Sequence, residues 1–335
     1  MIKTLIFVET NNKLDNISKL DLSNSLIFSF NIQTHKFLEE QKIEHTIGET
    51  YLSKKDHEEI FKKTISFWDW HKDTDIPKSL YYENINILSI LDTNELHQIL
   101  VREIYQFFTI KRIIEKENPT NIICSQHTSK MIKSISNNLI KLKIFNEEKH
   151  NFLVVWDKVL IRFNIGKLPL SISISRKTYT KIKNSIESFL GQFFNLWFNP
   201  IPSKKSTLFL EFNPLQYTEL LENLNDYDGN LIFLNRRRSA MWNFSSIKIL
   251  KKFNCKIVTP TKFLTKNEKN EIFHLSLQYL QTLDDFWSNS GFFDQLFSIE
   301  GKSFWNCIDE VLLNTYKTRL SEYLELIIFS KKFLK

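Results

Sequence analysis

Residues 94–130 read NELHQILVREIYQFFTIKRIIEKENPTNIICSQHTSK. Within them Leu96, Leu100, Ile104, Phe107, Phe108 and Ile113 recur at helical spacing, which predicts an amphipathic helix from Asn94 to Glu117. Asn118 and Pro119 end it, because proline disfavours the helical conformation of the residue before it. Asn121–Cys124 is short and apolar, as a buried strand should be, and a second helix is predicted from about Thr128 to Leu142. Helix, strand and helix joined by short links form the repeating unit of a mainly parallel sheet.

The same alternation extends outward. Residues 2–8 and 25–30 are β-rich apolar runs, with a helix predicted from Thr34 to Lys42. Ser53 is a plausible N-cap for a helix carrying Ile60, Phe61, Ile65 and Phe67 toward Trp70. Extended segments follow over 151–175, then a basic, aromatic helix over 177–198. Residues 199–205 (NPIPSKK) make the best linker in the chain. Beyond it come strands at 206–212, 231–235 and 255–258, helices at 214–225 and 245–253, and a mostly helical stretch to Lys335. The final helix has no strand after it and reads either as interrupted or as an ordinary C-terminal helix packed on the sheet. The 335 residues suggest two domains, at about 150 residues each. We divide them as an α/β region over 1–150, a connecting region over 151–203, and a second α/β region over 204–335.

Composition narrows the function classes. Apolar residues make up 42% and charged residues 25%, which excludes a disordered chain. The 6 glycines are isolated from one another, so no GxGxxG, GxxxxGK[ST] or GxSxG pattern exists. Classical dinucleotide enzymes, P-loop NTPases and serine hydrolases are poor fits. Cys124, Cys255 and Cys307 show no CxxC spacing and read as buried free thiols in a reducing compartment. The histidines lack HxxxH spacing, so no metal site is expected. No run of apolar residues is long enough to span a membrane, and the opening run is too short for a signal peptide. The net charge of +7 reads as spread along the chain, and does not by itself imply nucleic acid.

In parallel sheets ligands lie beyond the carboxyl ends of the strands. The first strand exits at Glu9, and the strand at 121–124 exits at Ser125–His127. His127, the one histidine at a strand exit, is the general-base candidate. The strand at 206–212 exits through Glu211 and Asn213, both suited to polar contacts. The strand at 231–235 exits into Asn235, Arg236, Arg237 and Arg238, where one or two arginines can clamp a phosphate or carboxylate. Trp242 is placed to stack on a base or sugar. Asp73–Asp75 and Asp226–Asp228 match an Asp-x-Asp metal pattern, but both read as turns.

Ser206–Pro214 (STLFLEFNP) and Leu231–Asn243 (LIFLNRRRSAMWN) resemble a group of archaeal and bacterial surface-polysaccharide biosynthesis proteins. Lys36–His45 (KFLEEQKIEH), Tyr51–Asp56 (YLSKKD) and the helix–Asn-Pro–strand at 104–124 fit the same pattern. These proteins are similar to GT-B glycosyltransferases. The resemblance implies two Rossmann-like lobes with mainly parallel sheets and a long C-terminal helical segment. It also implies a nucleotide sugar as substrate, a glycan or lipid-linked acceptor, no cofactor and a cytoplasmic protein. The basic, aromatic stretch 177–198 reads either as peripheral on the inner face of the membrane that carries the acceptor or as a packed inter-lobe helix. No nucleic-acid partner is expected. The donor lobe's usual Gln-His-Gly-like motif is missing, so the resemblance implies the acceptor-side portion of such an enzyme. A non-catalytic binding protein of the same pathway is the rival reading.

Overall fold

The computed structural model describes residues 4–9, 24–72, 76–90, 93–136, 140–146, 158–165, 168–199, 205–224, 226–235, 239–241, 243–258 and 264–333. The fold is mixed α/β, and the chain forms two compact units. One comprises Met1–Val155 and Leu277–Leu320, the other Trp156–Ser276 and Ser321–Lys335.

The first unit opens with β1 (Thr4–Val8), β2 (Ser25–Ser29), α1 (Ile32–Glu40), β3 (Thr46–Ile47) and α2 (Lys54–Trp68). A small hairpin of β4 (Tyr81–Tyr82) and β5 (Ile85–Asn86) turns on Glu83 and Asn84, both left-handed at φ 46 and 71. Then come α3 (Thr93–Glu117), β6 (Asn121–Ser125), α4 (Gln126–Ser136) and β7 (Lys141–Asn146). The sheet is parallel throughout, in the order β3-β2-β1-β6-β7. β1 lies at its centre, and Leu5, Ile6, Phe7 and Val8 are all fully buried. Chain order reverses at β1, with later strands added first on one side and then on the other. The α3–β6–α4 unit forms as its sequence predicts, except at its end. α4 stops at Ser136, and Lys141 and Leu142 begin a strand instead of ending a helix. Exposed Lys141 and Lys143 alternate with half-buried Leu142 and Ile144, the two-residue period of a sheet edge.

Ser53 caps α2 as expected: its hydroxyl accepts from Asp56 N, and the Asp56 carboxylate accepts from Ser53 N in return. Arg112 of α3 reaches the same carboxylate at 2.7 Å, tying the two helices together. Gly48 sits where α3 crosses the end of β2. A Cβ there would lie 3.0 Å from Thr109 Cγ2 and 3.4 Å from Ser29 O, so a larger residue would press the Thr109 side chain aside by a few tenths of an ångström.

The second unit begins with the antiparallel pair β8 (Lys158–Ile165) and β9 (Leu168–Ser175), followed by α5 (Arg176–Asn195). Next are β10 (Ser206–Leu210), α6 (Thr218–Glu222), β11 (Asn230–Leu234), α7 (Phe244–Lys252) and β12 (Cys255–Ile257). β10-β11-β12 form a parallel sheet in sequence order. α6 is shorter than the predicted 214–225, because the Asn213 side chain accepts from Leu215 N and holds a turn there.

The chain ends with α8 (Lys266–Trp287), α9 (Ser290–Leu296), a short hairpin of β13 (Ser298–Ile299) and β14 (Lys302–Ser303), and α10 (Trp305–Phe333). Much of the phenylalanine content resides in the first unit. Phe293 stacks on Trp305 at 4.1 Å, and Trp70, Trp287 and Phe297 pack around them. Trp70 is therefore a packing residue, as its place after α2 suggests.

Candidate functional site at the carboxyl edge of the first sheet

Where strand order reverses, loops leave in opposite directions and open a crevice at the carboxyl ends. In the first unit that place lies between β1 and β6, and it is where Glu9 and His127 meet. The pairing of β6 with β7 shifts register between Cys124 and Ser125. Irregularities of this kind re-aim side chains at strand ends.

Ser125 carries two duties. Its hydroxyl donates to Glu9 Oε2 at 2.8 Å and accepts from Thr128 N at 3.1 Å, capping α4. Asn31 does the same for α1: its side-chain oxygen accepts from Thr34 N, while its amide donates to the Glu9 carbonyl. Both helices following the central strands are thus capped by residues that also hold Glu9. Close by, Ser29 Oγ and Thr34 Oγ1 are buried without a hydrogen-bond partner among the described residues.

His127 is 6% exposed and donates from Nε2 to Glu103 Oε2 at 2.6 Å. Glu103, on α3, is 1% exposed and also receives Arg102 at 2.7 Å. Gln106, one turn further along α3, donates to Thr128 Oγ1 at 3.1 Å.

Two buried carboxyls therefore share this edge in opposite states. Burial pushes Glu9 up to about 7, and neither His127 nor the Ser125 hydroxyl offsets it. Burial acts on Glu103 in the same direction, but the hydrogen bond and charge of His127, with Arg102, outweigh it and hold Glu103 below the usual carboxylate range. Glu9 as a residue is partly exposed, yet its Oε1 is shut off from solvent. A neutral acid, an ionised partner and an imidazole in one cluster can hold and pass a proton. Such separation of two carboxyls marks acid–base sites.

The second sheet's edge is organised differently. The Asn235 side chain brackets Phe212, accepting from its N at 3.0 Å and donating to its O at 2.7 Å. Lys183 donates to the Asn235 carbonyl and to Glu187, all three residues buried. Asn235 thus fixes the exits of β10 and β11. Glu211 leaves β10 in the left-handed region at φ 51 and is exposed, as is Asn213. Arg236, Arg237, Arg238 and Trp242 lie outside the described residues, as do Asp73–Asp75. Asp226–Asp228 sit at the amino end of β11, where Gly229 N bonds to Tyr227 O in a turn.

Glu103, Arg102, Gln106 and Asn31 escaped the sequence reading. Glu103 carried a signal: it occupies a core position between Leu100 and Phe107, where an acid is costly unless paired. The three cysteines are buried free thiols, and burial raises Cys124 and Cys255 to about 12. Among the described residues no cluster of His, Cys, Asp and Glu could hold a metal, and no helix is long and apolar enough to cross a membrane. No protein-family profile, curated protein or solved structure matches the chain.

Proposed function

We propose that the chain is a GT-B-type sugar transferase of two Rossmann-like lobes. It moves a sugar from a nucleotide-sugar donor to a hydroxyl of a glycan or lipid-linked acceptor in cell-surface polysaccharide synthesis, on the cytoplasmic side of the membrane. The observation that carries this reading is the Glu9–Ser125 and His127–Glu103 cluster at the reversal point of the first sheet. Sugar transfer needs a base for the acceptor hydroxyl and cations or helix N-termini for the departing diphosphate. In this proposal His127 takes the proton, and Glu103 holds the imidazole in orientation. Arg236, Arg237 and Arg238 bind the diphosphate, Trp242 stacks on the base, and Glu211 and Asn213 make polar contacts. No metal or cofactor has a role.

A second reading, a non-catalytic binding protein of the same pathway, draws on the second sheet. The polar groups of Asn235 and Lys183 there are engaged in holding strand exits together.

Calorimetric titration of the full chain with uridine, guanosine, thymidine and cytidine nucleotide sugars tests the binding step. One class is expected to bind, and reversing Arg237 and Arg238 to Glu weakens it roughly tenfold through loss of bidentate contacts. Unchanged affinity in that variant removes the arginines from the site, and silence from every donor removes donor binding from this chain. Binding without nucleotide release favours the second reading.

A further inference from the structure

α5 turns much of its apolar surface outward, unlike an ordinary surface helix. Its buried positions are Tyr179, Lys183, Glu187, Gly191 and Phe194, so the side turned inward carries an ion pair. Its exposed positions include Ile182 (48%), Ile186 (49%), Phe189 (63%) and Phe193 (52%), and the stripe continues past its end to Leu196 (77%) and Trp197 (53%). These residues recur at three- and four-residue spacing, so they form one continuous apolar face along a helix about 30 Å long. Phe189 and Phe193 contact each other edge-on at 5.1 Å while facing solvent. The preceding hairpin adds to the same character: Ile172, cross-strand partner of Ile161, is 50% exposed, and Leu170 is 43% exposed. An exposed apolar face of this extent marks a surface that meets something other than water.

Charge identifies the partner. The chain's positive excess is not spread evenly, contrary to the sequence reading. The second unit holds 22 Lys and Arg against 11 Asp and Glu, a net +11, while the first holds 23 against 27, a net −4. Exposed Lys177 and Lys181 lie near the start of α5. At its other end Lys251 sits 4.2 Å over the Trp197 ring and Lys256 lies 5.8 Å over Phe198. Apolar and aromatic residues on one face with lysines beside them are what an interfacial helix presents to an anionic bilayer.

We propose that α5 and the exposed end at Leu196 and Trp197 dock the second unit onto the surface of a membrane rich in anionic lipid. The apolar stripe lies at the boundary between headgroups and acyl chains, and the lysines pair with lipid phosphates. The apolar face of α5 and the positive charge of the second unit suit such a surface whether or not the chain is a transferase.

Sedimentation of the full chain with vesicles tests it. The protein is expected to pellet with vesicles containing phosphatidylglycerol, much less with phosphatidylcholine alone, and less again as salt rises. Phe189→Ser with Phe193→Ser should cut partitioning by about tenfold or more, since two buried rings are lost. Lys177→Glu with Lys181→Glu should remove the preference for anionic lipid while sparing the apolar contact. All four positions face solvent or flank it, so the core is untouched. No pelleting with anionic vesicles at low salt overturns the proposal. So does unchanged pelleting in the phenylalanine variant, a dimer that this variant abolishes while vesicles never bind, or binding to single-stranded RNA with no affinity for vesicles.

Discussion

Glu103→Ala is expected to destabilise the first unit by about 3 kcal/mol at neutral pH, the cost of removing a charged acceptor and leaving the buried His127 Nε2 without its hydrogen bond. The reason is local. Glu103 and His127 are 1% and 6% exposed, so neither can turn to water when the other is lost. Glu103→Gln keeps shape and one acceptor oxygen, and should cost less, about 1–3 kcal/mol. Hydrogen exchange of the β1 and β6 amides reads this unit without requiring the whole chain to unfold in one step. A loss under about 1 kcal/mol in the alanine variant would mean that the pair contributes little to the fold. pH adds a second readout. Glu103 has a folded pKa below its unfolded value near 4.5, so its contribution is present above that pH and disappears as pH falls through the folded pKa.

Glu9 works in the opposite direction, and Glu9→Gln should stabilise the protein above neutral pH. In the folded chain Glu9 keeps its proton up to about 7, whereas unfolded it releases it near 4.5. Between those values the folded state binds more protons, so stability falls as pH rises from 4.5 to 7 and then levels off. Glutamine is neutral throughout and can still accept from Ser125. The variant should therefore match wild type near pH 4 and exceed it above pH 7.5, by about 3 kcal/mol at most. Denaturant titrations at the two pH values decide it. Equal stability of variant and wild type at both would show that Glu9 ionises freely and that its surroundings do not hold the proton.

The parallel sheets were legible because buried strands such as Leu5–Val8 and Asn121–Cys124 stand as short apolar runs between helices with clear caps and stops. β7 was not, since Lys141–Asn146 alternates over too short a span to be told from the end of a helix. β3, of two residues, left no pattern at all. The places of Glu9 and His127 at the carboxyl edge were legible because strand exits can be counted from sequence. Glu103 lies on α3, between Leu100 and Phe107 in the chain, and meets His127 only through packing. Asn235 illustrates the converse. Its place at a strand exit suggested ligand contact, but a side chain that reaches back to the Phe212 backbone cannot be distinguished from one that reaches outward without coordinates. The reversed face of α5 was half visible: the sequence showed the apolar spacing, but which side of the helix is covered depends on where β11 presents the Asn235 carbonyl to Lys183.

The central claim is that His127 handles the acceptor's proton, and the rate of nucleotide release by wild type and His127→Ala tests it most directly. With a donor that binds and a hydroxyl acceptor, wild type is expected to release nucleotide. The alanine variant, binding the donor equally well, should be slower by about 10²–10⁴-fold. An alanine variant that keeps the wild-type rate would contradict the account.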